Sequence, residues 1–145
     1  MKFLLDTMMG HLVTWLRLLG HDTIYVREAS DDDLITMSVT EKRVVVTRDK
    51  MLAAKLKKLG VKTVLLETVD TVETLAKIGS ETGVELVFNP LNTRCPVCNT
   101  LLEHFQEAGE HRWICRGCGK TYWIGGHWRN ISKVLEKVRA TASGR

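Results

Sequence analysis

Arg43-Val44-Val45-Val46-Thr47-Arg48-Asp49 is the stretch that decides the fold. A β-branched run reads as a strand, and it ends in a hydroxyl, a guanidinium and a carboxylate. A helical segment, residues 50–59, follows directly, with Leu52, Leu56 and Leu59 inward and Lys55, Lys57 and Lys58 outward. In an open α/β sheet the carboxyl ends of the strands face the binding crevice, so Thr47, Arg48 and Asp49 are expected there.

Upstream, residues 2–5 read as a buried strand, with Asp6-Thr7 positioned to cap the next helix. In that helix Leu12, Trp15, Leu16 and Leu19 form a core-facing stripe at i, i+3, i+4 and i+7, and Gly20 ends it. Residues 23–26 make a short strand, and Ser30-Asp31-Asp32-Asp33 opens a helix to about residue 41. Downstream, Gly60 precedes a fourth strand over 61–66, a helix over 72–82 and an expected fifth strand over 84–88. Strands alternating with helices over short connections imply a three-layer α/β domain with a mostly parallel sheet and right-handed crossovers. Asn89-Pro90-Leu91-Asn92 breaks the alternation and marks a module boundary. The expected division is 1–90 for the α/β domain, 91–126 for a second module and 127–145 for a terminal helix and tail.

The second module is built on Cys95-Pro96-Val97-Cys98 and Cys115-Arg116-Gly117-Cys118, with 16 residues between the pairs. Two Cys-x2-Cys knuckles at this separation are a zinc-ribbon pattern, in which Cys95, Cys98, Cys115 and Cys118 hold one tetrahedral ion and leave no position open for substrate. Gly117 and Gly119 suit the tight turn at the second pair, and the stretch between the knuckles is long enough for a hairpin. Disulfides are disfavoured without a secretion signal, and a redox dithiol needs only one pair. A ribbon this small depends on its metal to fold.

Asp6 follows the first strand, Asp31 opens the helix after the second, and Asp49 follows the third. Each acid taken singly reads sooner as a helix cap than as a ligand. Together they form a hard-oxygen set at one sheet edge, suited to Mg²⁺ or Mn²⁺ and to hydrolysis by metal-activated water. Thr47 would orient a carboxylate, and Arg48 would neutralise a pentacoordinate phosphate. Asp33 is the next choice after Asp31, and Glu67 is a possible fourth ligand.

The bulk numbers agree with such a partner. The 145-residue chain has a net charge of +4, 44% hydrophobic and 26% charged residues, an ordinary globular composition. Residues 1–88 carry 12 basic and 13 acidic side chains, whereas residues 89–145 carry 9 and 4. The positive excess therefore lies wholly in the C-terminal part, favouring a polyanion contacted from that side. Thr121-Tyr122-Trp123-Ile124-Gly125-Gly126-His127-Trp128-Arg129 sets aromatics beside cations. Trp123, His127, Trp128, Arg129 and Lys133 are the candidate nucleic-acid contacts, although the tryptophans could equally glue the ribbon to the α/β domain. Ile131, Val134, Leu135 and Val138 form the inward stripe of an amphipathic last helix. No apolar run reaches the length needed to span a bilayer and no secretion pattern is present, so a cytoplasmic location is expected.

In order, Phe3-Leu4-Leu5-Asp6, Trp15 through Thr23, the acidic start at Asp31, Arg43 through Asp49, the two knuckles and Tyr122 through Trp128 resemble one family: the PIN-like ribonuclease domain found at the C-terminus of Mut-7 type exonucleases and as stand-alone prokaryotic proteins. The resemblance spans essentially the whole chain. It implies a PIN-like fold with an appended zinc ribbon and Mg²⁺- or Mn²⁺-dependent RNA cleavage, with Asp6 and Asp49 at the family's acidic positions and Asp31 a looser match. PIN nucleases usually carry a further acid shortly after the position of Asp49, where this chain has Lys50-Met51-Leu52, and Gly126 stands where the family commonly has Ser. Two other classes stay open: an RNA-binding zinc-ribbon protein without catalysis, and a scaffold for an unidentified protein partner.

Overall fold

A computed structural model describes residues 1–6, 9–123 and 128–144, with the backbone alone at Trp128. Four parallel strands, β1 (Lys2–Leu5), β2 (Asp22–Tyr25), β3 (Val44–Thr47) and β4 (Thr63–Leu65), form a sheet in the order β2-β1-β3-β4. The helices between and after them are α1 (Gly10–Leu18), α2 (Asp31–Glu41), α3 (Lys50–Lys58) and α4 (Thr71–Thr82).

Side chains alternate across the sheet, and the two faces have separate cores. Phe3, Leu5, Val44, Val46 and Val64 pack with Leu12 and Leu16 of α1 and Leu75 and Ile78 of α4. On the other face Leu4 and Val45 pack with Leu34 of α2 and with Leu52 and Leu56 of α3. This segregation follows from handedness. The path moves one way from β1 to β2 and the other way from β2 through β3 to β4, so right-handed crossovers must use opposite faces. The last helix, α5 (Trp128–Ser143), joins the first face, where Leu135 and Val138 are buried in the core shared by α1 and α4. The ends of α4 (Gly79, Ser80) and α5 (Ala142, Ser143) line one cleft, so the two helices run in the same direction.

The expected fifth strand is not one. Residues 84–88 are extended but outside the sheet, and their alternation arises from packing. Leu86 is buried beneath Gly79, where an added Cβ would come within 2.5 Å of Leu86 Cδ1, and Phe88 meets Trp113 edge-on at 6.0 Å. The carbonyl of Leu86 accepts from Arg139 Nη1 at 3.0 Å, and that of Glu85 pairs with His21 Nε2 at 3.0 Å. An apolar stripe of period two thus marks one-sided burial of an extended chain, with or without a ladder.

The ribbon comprises β5 (Glu103–Glu107), β6 (Glu110–Ile114) and β7 (Thr121–Trp123), antiparallel in that order. Ala108 and Gly109, at φ 51° and 79°, make the tight two-residue turn that matches strand twist. The ribbon is fastened to the amino ends of the α/β strands. Thr93 Oγ1 donates to Leu18 O at 2.7 Å, Arg94 N to Arg17 O at 2.9 Å, and Arg17 Nη1 to Pro96 O at 2.7 Å. Gly20, at φ 90°, could carry no side chain here, since a Cβ would lie 2.4 Å from Asn92 O.

The central tie is Asn99. Its Oδ1 accepts from Thr23 N at 3.0 Å, and its Nδ2 donates to Asp22 Oδ1 at 2.7 Å. That same oxygen receives Arg43 Nη1 at 2.9 Å, and Arg43 is buried, with Nη1 also 3.1 Å from Phe3 O. Burial would lift the Asp22 carboxyl, but the Asn99 amide and the Arg43 guanidinium outweigh it and hold the group below its ordinary range. Asn99 also sits at φ 69°, a conformation open to Asn and Gly. Asn99→Gly should therefore keep the turn and lose the tie, lowering the stability of the whole chain by about 1–3 kcal/mol in urea unfolding. An unchanged midpoint would show that the tie contributes nothing.

Candidate active site and zinc site

The strand order reverses between β1 and β3: the chain leaves β1 for β2 on one side and β3 for β4 on the other. Such a switch point leaves a crevice at the carboxyl edge, where loops and helices part to either side. Asp6 and Thr47 lie at this point. Asp6 N donates to Val46 O at 3.3 Å, continuing the β1–β3 ladder by one residue. Thr47, fully buried, donates Oγ1–H to Asp6 Oδ2 at 2.7 Å and accepts from Asp49 N at 3.0 Å. One hydroxyl used as both donor and acceptor fixes the Asp6 carboxylate against the turn that carries Asp49.

The acids differ in how far helix capping explains them. Asp49 is the N-cap of α3, its Oδ1 accepting from Met51 N at 2.9 Å and Leu52 N at 3.1 Å. Ser30, not Asp31, caps α2, through an Oγ that accepts from Asp33 N at 3.1 Å. Asp31 is exposed in the first turn, and its side chain makes no hydrogen bond or ion pair among the described residues. Asp6 is not the N-cap residue of α1, which begins at Gly10 after Met9; Thr7 lies outside the described residues. Because β2, β1 and β3 are adjacent and parallel, the segments carrying Asp31, Asp6 and Asp49 all leave from one edge. Asp6 is half-buried, and Arg48 and Asp49 are exposed. Glu67 is exposed two residues beyond β4, while Asp70 caps α4 through Glu73 N at 2.9 Å.

Hard oxygens at one edge have the right donor chemistry for Mg²⁺ or Mn²⁺, and Mg²⁺ commonly takes only one or two carboxylates and keeps its waters. Among the described residues the four cysteines are grouped closely enough to hold a metal ion, and the acids form no such group of three. The fit to a divalent ion thus rests on Asp6 and a neighbour, with no closed cage.

The cysteines are a closed site. Their four Sγ atoms lie within 4.8 Å of one another, with Cys95–Cys118 at 3.8 Å and Cys98–Cys115 at 3.3 Å. Tetrahedral zinc with Zn–S near 2.3 Å places sulfurs about 3.8 Å apart, so the four could bind one ion. Each knuckle makes the same two bonds: Cys95 N to Thr100 O and Asn99 N to Cys95 O, then Cys115 N to Lys120 O and Gly119 N to Cys115 O. Asn99 and Gly119 are therefore equivalent left-handed positions. Gly117 has a separate reason, since its Cβ would lie 2.6 Å from Thr100 Oγ1 and 3.3 Å from Cys98 Sγ. The hydroxyl and amide of Thr100, with Cys115, draw the Cys98 thiol down to about 6. Burial and the Cys95 sulfur push the Tyr122 phenol above its ordinary value, so Tyr122 stays protonated and donates to Cys95 Sγ at 3.2 Å. Partners of this kind orient metal ligands.

Of the expected nucleic-acid contacts, Trp123 is 62% exposed on β7, and Arg129 and Lys133 are exposed on α5. His127 and the Trp128 side chain lie outside the described residues. Trp113 takes the packing role, donating Nε1–H to Pro90 O at 2.8 Å. Asn99, Tyr122 and Arg112 escape a motif-based reading. For Asn99 alone a signal exists, because aligning the two knuckles sets it opposite Gly119.

No described helix is long and apolar enough to cross a membrane. Searches of curated proteins and of solved structures return no match to the chain. A family model described as the Mut7-C RNAse domain matches residues 1–135, nearly the full length and both the carboxylate edge and the cysteine cluster, and on that match the chain belongs to the Mut7-C RNAse domain family.

Proposed function

We propose that the chain is a metal-dependent ribonuclease of the PIN-like kind, hydrolysing RNA phosphodiesters at the carboxyl edge of its sheet. The observation that carries this reading is the Asp6–Thr47–Asp49 linkage at the β1/β3 switch point. Asp6 and Asp49 hold Mg²⁺ or Mn²⁺, with Asp31 as third carboxylate and Glu67 placed to serve as a fourth. The bound ion supplies positive charge to the phosphate and makes water at the site a stronger acid. Thr47 keeps the Asp6 carboxylate turned to the crevice, and Arg48 neutralises charge on the phosphoryl oxygens as it builds. Residues 1–90 carry the chemistry. The ribbon, 91–126, is stapled by structural zinc at Cys95, Cys98, Cys115 and Cys118. Together with the basic segment 127–145 it holds RNA through Trp123, His127, Trp128, Arg129 and Lys133, and the protein works in the cytoplasm.

Incubation with mixed RNAs, with and without Mn²⁺, tests the reading. Mn²⁺-dependent cleavage supports it; RNA binding without cleavage in any cation sinks it in favour of a non-catalytic binder. Thr47→Val removes the hydroxyl and keeps the volume. Cleavage should fall about 10- to 100-fold, with more Mn²⁺ needed for half-maximal rate, and Thr47→Ser should restore both. A purely structural Thr47 would leave the Mn²⁺ dependence unmoved.

A further inference from the structure

The ribbon sheet has one face turned inward and one outward. Trp113 and Tyr122 lie on the inner face, committed to Pro90 O and Cys95 Sγ. Strand register sets Phe105 opposite Arg112, and Arg112 opposite Trp123, on the other face. The three side chains thus form one row across β5, β6 and β7, ring, cation, ring. Phe105 is 38% and Trp123 62% exposed, so both ring surfaces on this row are open to a ligand. Arg112 Cζ lies 5.8 Å from the centre of the Trp123 ring. Its Nη2 donates to Glu110 Oε2 at 3.1 Å, an exposed pair that a phosphate oxygen can displace at little cost.

From this row we infer that the outer face of the ribbon is a stacking platform for unpaired RNA bases, with Phe105 and Trp123 each taking a base and Arg112 the phosphate between them. The inference rests on the ribonuclease reading for the choice of RNA, and it deepens that reading by assigning a single-stranded substrate. With strands about 4.8 Å apart, the two ring-bearing backbones are about 10 Å apart and Arg112 lies midway. The surrounding charge decides how affinity is divided. Glu103, Glu107 and Glu110 share this face, and Glu103 already holds Arg116 at 2.7 Å, so a run of phosphates gains little here. Ring–base stacking must supply most of the binding, and its salt dependence is shallow.

The test uses the full-length, zinc-loaded chain carrying Asp6→Asn, without added Mg²⁺ or Mn²⁺, so that RNA stays intact. Fluorescence anisotropy compares labelled oligouridine, an RNA duplex and an abasic ribose-phosphate oligomer of equal length. Trp123→Ala and Phe105→Ala should each weaken oligouridine binding about 5- to 150-fold, and Trp123→Phe should recover most of the loss. Arg112→Ala should lower the salt slope by about one. Duplex and abasic oligomer should bind weakly and alike to parent and variants. Both alanine variants within about two-fold of the parent would overturn the platform and leave the face to a protein partner. So would equal losses on the abasic oligomer. Binding loss is scored without cleavage, so the platform stands if the nuclease reading fails, and the reverse also holds.

Discussion

Asp6→Asn should abolish RNA cleavage, a fall of about 10³-fold or more, while RNA affinity stays within a small factor of the parent. The reasoning starts from the environment of this acid. Asp6 is half-buried at the switch point and takes the Thr47 hydroxyl at 2.7 Å. An asparagine oxygen can accept that bond equally well, so the fold is kept, but the negative charge that would hold the cation is gone. The expected signature is a lost rate that added Mn²⁺ recovers only in part, with an unchanged unfolding midpoint. Asp49→Asn should also lose cleavage while keeping the start of α3, because an asparagine Oδ1 can accept from Met51 N and Leu52 N as the aspartate does. Full activity in Asp6→Asn, measured on the same RNA, would remove the carboxylate edge from the chemistry.

The second large effect concerns zinc. The purified chain should hold about one equivalent, and Cys98→Ser should lose most of it and unfold the ribbon. Cys98 is exposed, so its loss leaves no cavity, and instability would come from the metal alone. Metal content and hydrogen exchange at the Cys95 and Cys115 amides read this out, since both amides close the knuckle turns. The damage should extend beyond the ribbon. Asn99 follows Cys98 directly, and without its turn Asp22 loses Nδ2 and Arg43 keeps a less well-held partner. The α/β domain should therefore unfold at lower urea, a coupling that a ribbon merely tethered by a linker would not show. Slow ribbon exchange in a Cys98→Ser protein lacking zinc would contradict the staple.

Particular residues show what was legible in the sequence. Val44 through Thr47, with a lysine-faced helix behind them, specify a parallel strand and its crossover, because burial and periodicity are local properties. The four cysteines were equally plain, since spacing alone constrains a tetrahedral site. The segment 84–88 was not, because an alternating pattern reports which side is buried and is silent on what lies beside the backbone. Arg43 sits at the head of its strand as any surface arginine might; only Asp22 and Phe3, brought near by folding, turn it inward. The candidate acids were visible as residues following strands. Their different duties, with Ser30 relieving Asp31 of capping and Thr47 tying Asp6 to Asp49, depend on side-chain geometry that no spacing encodes.

The placement of α5 has a consequence for how the chain reaches its native state. Leu135 and Val138 cover a core whose other buried members, from Phe3 to Leu86, lie far earlier in the sequence. Until α5 has been made and docks, the part of that core beneath Leu135 and Val138 stays exposed to water. The ribbon lies between α4 and α5 in the sequence, so docking α5 on α4 closes a long loop at a cost in entropy. Early collapse of the ribbon around a metal would shorten that loop by joining its two knuckles before α5 arrives.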